Sequence, residues 1–347
     1  MNKVRNFLKN MSDTNMLLSV TIIMFALMYV FAIVAYPDTF TNPNNLFNSM
    51  NTSAPKIIVC ISLSVVMITG SIDISVGGLM ALVTTICGLY LNENHGNIWM
   101  ALIIALAVGI AFGVVQGFLI SYLEIQPFIV TLAGMFFARG LATIISSRQF
   151  NVVNDALTKL KEFAIDMPFG YTVENRHKSM FHPSQVQIQL IIAILVVVAV
   201  FIVLRWTKAG RALYAVGGNY QSAFMLGINP KKTKFMAHVA SSGLAGLAGF
   251  ALLISQANVN ANNAQAFEMD AIAASIIGGT LLTGGVGNVI GTFFGAMFVV
   301  TVKMIVNAGA SGESYWTNIT IGIVLCVFLV LQSIILKVRN SRKGVTT

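Results

Sequence analysis

The chain has 347 residues, 56% apolar and only 10% charged, against about 25% charged in an ordinary soluble domain. A mean hydropathy of +0.80 with 7 Pro excludes a disordered or collagen-like chain, and a water-soluble surface cannot hold so large an apolar excess. The net charge of +9 raises nucleic acid as a partner, yet the basic residues sit in tails and loops between apolar runs, where membrane topology accounts for them and no nucleic acid is needed.

A helix needs about 20 apolar residues to cross the hydrocarbon core. The first run, 17–36, follows Lys3, Arg5 and Lys9 like a signal peptide but has no small-residue cleavage site behind it, so it reads as a retained span. Further runs are 98–120, 127–147, 186–206, 235–257 and 315–336. The stretch 55–91 is too long for one span and is cut at Gly70-Ser71-Ile72-Asp73-Ile74-Ser75-Val76-Gly77-Gly78. The stretch 268–309 is cut at Gly284-Gly285-Val286-Gly287-Asn288. The expectation is an all-α polytopic bundle forming one membrane domain, with about ten spans of which two pairs are glycine-interrupted.

With ten spans both termini share a side, which carries 12 Lys and Arg in 1–16, 207–234 and 337–347, against 5 in the loop 148–185. Both termini and the 207–234 segment are therefore expected in the cytoplasm and the 148–185 loop outside. That loop balances its bases with Asp155, Glu162, Asp166 and Glu174 and is the external segment large enough to dock a partner. Gly109, Gly113 and Gly117, and Gly291 with Gly295, recur every four residues and predict close helix contacts, within one subunit or between two.

No phosphate-binding Gly-x-x-x-x-Gly-Lys-[Ser/Thr], His-Glu-x-x-His, Gly-x-Ser-x-Gly or Cys-x-x-Cys occurs, so neither ATP hydrolysis nor another catalytic residue is expected of this chain. His95, His177, His182 and His238 are scattered, and Cys60, Cys87 and Cys326 lie inside apolar runs, which predicts neither a metal site nor a disulfide framework. Charges within spans each need a reason. Arg139 and Lys303 either line a polar pathway or pair with carbonyls or a carboxylate, and Lys303 has the further option of snorkelling. Asp73 and Ser75 either cap the helix that follows or belong to a gate, since irregular backbone at membrane depth is tolerated only where buried or facing a cavity. Asp270 suits the first turn of the eighth span, and Glu268 is expected to face the external vestibule.

Between the fifth-to-sixth span pair and the next, residues 208–219 (Lys208-Ala209-Gly210-Arg211-Ala212-Leu213-Tyr214-Ala215-Val216-Gly217-Gly218-Asn219) and the stretch to Lys232 are too short for a domain and too apolar for a solvated linker. Ala212, Ala215 and Val216 fall at helical spacing, as do Ala223, Leu226 and Gly227, giving a short amphipathic helix that either docks into a partner's groove or lies on the lipid surface.

At these residues the chain resembles the membrane permease subunit of bacterial ATP-binding-cassette importers for monosaccharides, the ribose-type permeases. Gly70-Ser71-Ile72-Asp73-Ile74-Ser75-Val76-Gly77 is similar to the family's Gly-Gly-Ile-Asp-Leu-Ser-Val-Gly. Residues 210–219 resemble its cytoplasmic coupling segment, and Glu268-x-Asp270-Ala271-Ile272-Ala273-Ala274 with Ile277-Gly278-Gly279-Thr280 and Gly284-Gly285 resemble its third signature. After Asn219 the family's Pro-Glu-Ala-Ala-Arg is replaced by Tyr220-Gln221-Ser222-Ala223-Phe224, which removes an acidic and a basic residue.

The resemblance implies a pathway for a pentose or hexose in the bacterial inner membrane. Its implied partners are a cytoplasmic ATPase that binds ATP and Mg²⁺, an extracytoplasmic sugar-binding protein, and a second permease copy or sister permease within the bilayer. It implies ATPase docking through Gly210, Arg211, Ala212, Val216, Gly217, Gly218, Asn219 and Gly227, and a pathway or gate at Asp73, Ser75 and Asp270, to which the charges of Arg139 and Glu268 in or beside spans add two candidates. The rival readings are a permease for a nucleoside or other small polar solute, and a secondary transporter driven by an ion gradient through Asp73 or Asp270.

Overall fold

The computed structural model describes residues 13–93, 96–175, 178–309, 316, 319–328 and 330. Most of the two expected cytoplasmic tails, His95, His177 and much of the expected span 315–336 lie outside the described residues. In chain order the helices are α1 (Asp13–Ala35), α2 (Pro37–Phe40), α3 (Pro43–Ile68), α4 (Val76–Glu93), α5 (Ile98–Ser121) and α6 (Pro127–Ile145). Strand β1 (Phe150–Asn151), helix α7 (Asp155–Glu162) and strands β2 (Ala164–Asn175) and β3 (Lys178–Gln187) follow. Then come α8 (Ile188–Trp206), α9 (Lys208–Gly218), α10 (Tyr220–Met225), α11 (Pro230–Gln256), β4 (Asn258–Val259), α12 (Phe267–Ile277), α13 (Val289–Gly309) and a last apolar helix α14 (Ile319–Phe328).

Among the described residues seven helices, namely α1, α3, α5, α6, α8, α11 and α13, are long and apolar enough to cross a membrane, and the chain is a polytopic helical bundle. Both glycine-rich interruptions fall where the sequence places them, but they leave unequal pieces. The first separates α3 from α4, an apolar helix of 18 residues, about 27 Å and so close to the thickness of the hydrocarbon core. The second leaves α12 with only 11 residues, about 16 Å at 1.5 Å per residue, or half the hydrocarbon core. The expected eighth span is therefore a half-helix set between irregular backbone at 257–266 and 278–288. Irregular backbone is tolerated at membrane depth only where protein or a cavity, not lipid, surrounds it.

Helices α3 and α11 form the buried centre, with α11 lying against α3, α4 and α5. The α5 glycine stripe makes its contacts within the subunit. A Cβ on Gly109 would sit 2.5 Å from the Ser242 carbonyl, one on Gly113 2.8 Å from Val239 Cα, and one on Gly117 3.1 Å from the Phe235 carbonyl, all on α11. Gly291 and Gly295 likewise press α13 against the backbone of Ala274 and Gly278. With lipid as apolar as leucine, this backbone proximity is what holds the helices together. Gly113→Leu is accordingly expected to drive α5 off α11, costing upward of about 2 kcal/mol, and to replace a monodisperse peak by aggregate on size-exclusion chromatography.

The loop expected at 148–185 is instead largely structured, an addition to the all-α expectation. Strands β2 and β3 pair antiparallel from Ala164↔Gln187 to Asn175↔Lys178, with an irregularity between Asp166 and Gly170. The hairpin is tied down by the polar start of α3, which begins twelve residues before the expected 55. Asn51 Nδ2 donates to the Gln185 carbonyl at 2.7 Å and Asn51 Oδ1 accepts from Gln187 N at 3.0 Å. Ser184 Oγ donates to Asn44 Oδ1 at 2.5 Å. A second link joins β1 to β4 through Phe150↔Val259 and Asn151↔Asn258, fixing the segment after α11 to the segment after α6.

Candidate functional site: a coupling joint and two polar clusters

Three sequence blocks that lie far apart in the chain meet at the end of the bundle opposite the hairpin. Gly285 N donates a 2.8 Å hydrogen bond to the Ile68 carbonyl, joining the two glycine-rich breaks directly. Gly70 and Gly284 both have positive φ, +76° and +84°, and a Cβ on Gly284 would lie 2.6 Å from Gly70 N. Glycine supplies both the left-handed backbone and the room for this approach. Helix α9 seats on the same point. A Cβ on Gly217 would collide with the Ile68 carbonyl and come within 2.6 Å of Gly285 N. Tyr214 Oη donates to the Gly287 carbonyl at 3.0 Å, and burial raises the phenol above its ordinary pKa, keeping it a proton donor there.

The eight residues expected to dock a partner thus divide. Gly210 packs on Val203 and Leu204, Val216 is buried and Gly217 belongs to the joint, while Ala212 is half-buried. Arg211, Gly218, Asn219 and Gly227 are exposed, and nothing lies within 4 Å of a Cβ on Gly218 or Gly227. Helix α10, capped by the Asn219 side chain accepting from Ser222 N at 2.8 Å, turns Ala223 inward. It leaves Phe224, Met225 and Leu226 exposed by 64%, 84% and 78%. These three were outside the sequence-derived set, and of them the helical repeat Ala223-Leu226-Gly227 included only Leu226.

Above the joint the first break places Asp73 and Ser75, both fully buried, at the start of α4. Asp73 Oδ1 accepts from Ser75 N at 3.0 Å and from Ser75 Oγ at 2.5 Å, and Leu79 N donates to the Ser75 carbonyl as α4 begins. The Asp73 carboxylate thus closes a turn on Ser75 just before α4 and does not reach the N–H groups of the helix itself, where the sequence offered a cap. The arrangement extends further than this turn, because Ser241 Oγ on α11 lies 3.3 Å from Asp73 Oδ2 and 2.9 Å from Ser62 Oγ on α3. The Gln116 amide on α5 stands 3.1 Å from Ser75 Oγ. His238 is fully buried on α11 beside this network. Gln116, Ser241 and His238 carry no motif of their own, so helical spacing on α5 and α11 was the only available signal.

The second polar cluster surrounds α12. Lys56 on α3 and Lys303 on α13 both contact Asp270 Oδ2, at 2.8 and 2.5 Å. Asp270 does lie in the first turn of its helix, as expected. Lys303 is thus held by a carboxylate rather than snorkelling. Arg139 satisfies backbone, donating from Nη1 and Nη2 to the Ala261 and Ala264 carbonyls at 3.3 Å each. Glu268, expected to face an external vestibule, is instead buried against Gly77 of α4. No group of His, Cys, Asp and Glu suited to a metal occurs among the described residues.

Comparison with known proteins agrees with this architecture. The inner membrane ABC transporter permease protein YjfF of Escherichia coli is 34% identical over 326 residues, covering 93% of each chain. The fructose import permease protein FruG of Bifidobacterium longum is 34% identical over 83% of this chain and 82% of its own length. The ribose import permease protein RbsC of Escherichia coli is 32% identical over 79% and 81%. No solved structure matches the chain. Residues 45–329, which include both breaks, the joint and both polar clusters, match the family described as "Branched-chain amino acid transport system / permease component", and the chain belongs to this family of ABC transporter permease components.

Proposed function

We propose that this chain is the transmembrane permease subunit of an ABC importer for a monosaccharide, moved between inward- and outward-open states by separate ATPase subunits. The observation that carries this reading is the joint, where the α9 segment touches both glycine-rich breaks through backbone at Gly217, Ile68 and Gly285. A force applied to α9 and α10 by a partner passes through backbone into the end of α3 and the segment that leads into α13, without an intervening flexible side chain. The ribose and fructose permeases among the relatives support a monosaccharide as the solute.

In this reading the joint end is cytoplasmic, in keeping with the distribution of bases, and the hairpin end is outside. The exposed Phe224, Met225 and Leu226, with Arg211, Gly218, Asn219 and Gly227 around them, insert into a groove of the ATPase, which binds ATP and Mg²⁺. The β2–β3 hairpin meets an extracytoplasmic sugar-binding protein, and a second permease copy or sister permease completes the pathway. The buried Asp73–Ser75–Ser241 network belongs to the gate, since it pins the start of α4 to α11 directly above the joint.

Affinity purification of the tagged chain from its native membranes is expected to recover an ATPase with a phosphate-binding lysine motif. A chain that emerges alone and still moves solute under an ion gradient would overturn the proposal. Phe224→Asp with Leu226→Asp places two charges on the exposed apolar face. This double variant is expected to insert normally yet lose at least about 90% of the co-purified ATPase, a weakening of more than ~1.4 kcal/mol, measured by quantitative immunoblot.

A further inference from the structure

The Lys56–Asp270–Lys303 cluster is unbalanced. Two ammonium groups share one carboxylate oxygen, which among the described residues leaves a surplus positive charge on helices that enter the bilayer, with side chains only 12% (Lys56), 27% (Lys303) and 9% (Asp270) exposed. Half a share in a carboxylate does not offset the desolvation of an ammonium, so the site calls for a second negative charge. Glu268 does not provide it. It stands two residues from Asp270, about 200° around the helix, and its side chain lies against Gly77 on the α4 side.

The two lysines are not equivalent. Lys56 is held from a second direction by the Phe267 ring, 4.4 Å from its centroid. Lys303 is the most exposed member of the three, and an ammonium has three N–H donors, of which Asp270 takes one. The open side of the cluster is therefore the Lys303 side, and an anion arriving there meets positively charged donors that no other described residue engages.

Resting on the importer reading, we infer that this cluster is the subsite for an anionic group on the transported solute, and that the solute is a monosaccharide bearing a carboxylate, a hexuronate rather than a neutral hexose. One surplus charge matches one carboxylate, whereas a phosphate monoester brings about −1.5 to −2 at pH 7. The carboxylate would accept from Lys303 in a charge-assisted hydrogen bond.

The test uses the purified full chain in lipid nanodiscs, titrated by calorimetry with galacturonate, galactose and inorganic phosphate, for the parent and for Lys303→Met and Lys303→Arg. The expected result is that galacturonate binds at least about tenfold more tightly than galactose or phosphate. Lys303→Met should remove that preference, and Lys303→Arg should retain it. Lys303→Met leaves Lys56 and Asp270 as a one-to-one pair, so the variant stays folded, which its thermal unfolding midpoint confirms. Equal binding of galacturonate and galactose, no binding of galacturonate, or an unchanged preference in Lys303→Met overturns the inference. Phosphate binding as tight as galacturonate reduces the cluster to a general anion site and also overturns it. Recovery of the ATPase by affinity purification is a separate readout, so failure of the subsite and failure of the importer role are told apart.

Discussion

Gly217→Ala is expected to uncouple the transporter while leaving it in the membrane. The added methyl points at the Ile68 carbonyl and approaches Gly285 N, and both are backbone held by the hydrogen bond that joins the two breaks. A flexible side chain could swing aside, but these atoms cannot move without displacing the end of α3 or the 278–288 segment. The cost of such overpacking is about 1–3 kcal/mol, and it is met by lifting α9 off the joint. Because Phe224, Met225 and Leu226 remain exposed on α10, the ATPase should still bind.

The measurement is solute-stimulated ATP hydrolysis by the reconstituted complex, which should fall at least about tenfold, an amount that ~1.4 kcal/mol of lost coupling produces. Membrane insertion and ATPase recovery should match the parent. Gly322→Ala is the control, since a Cβ there meets nothing within 4 Å. Normal stimulation in Gly217→Ala would mean that α9 does not transmit force through the joint.

Why the joint was only half legible in the sequence is a matter of depth. Two runs of glycine within apolar stretches announce that helices stop there, and an amphipathic Ala212-Ala215-Val216 pattern announces a short helix, so all three pieces were readable. Their convergence was not, because no local pattern encodes a contact between residues 68, 217 and 285. Gly217 consequently read as a surface residue for a partner, whereas it is the surface at which the subunit meets itself. The glycine stripe on α5 illustrates the reverse case, in which four-residue spacing on one face sufficed to predict close contact, and only the identity of the facing helix was missing.

The remaining misreadings have similar causes. Asn-rich residues 43–54 look like a loop by hydropathy, yet they are helical because their amides hold the β2–β3 hairpin. The hairpin itself was hidden by charged residues and by Pro183, which a strand rarely accommodates and which here lies opposite Gly170. The half-helix α12 carries enough apolar residues for a span only when the glycine-rich 278–288 is counted with it, and hydropathy does not record that this part is irregular. Asp270 was legible as a residue near a helix start, but its two lysine partners come from α3 and α13 and share no motif with it.

Asp270→Asn should produce the largest loss of stability of any single change in the polar clusters. Removing one partner of a buried ion pair leaves its mate uncompensated and costs about 3–5 kcal/mol. Here one carboxylate serves two ammonium groups, so the amide leaves both Lys56 and Lys303 without a counter-charge at membrane depth. Partial exposure of Lys303 moderates its share, which places the expected loss near the lower end, at about 3 kcal/mol. Thermal unfolding followed by fluorescence-detected size exclusion should then show a midpoint several degrees below the parent. The decisive comparison is the triple change Asp270→Asn, Lys56→Met, Lys303→Met, which removes every charge and should return the midpoint close to that of the parent, a stability within about 1 kcal/mol of it, since apolar replacements of a buried ionic cluster are often neutral. Lys303→Met alone should hold or raise the midpoint by relieving the surplus charge. If Asp270→Asn is as stable as the parent, the lysines are not compensated by Asp270, and the cluster is solvated rather than buried.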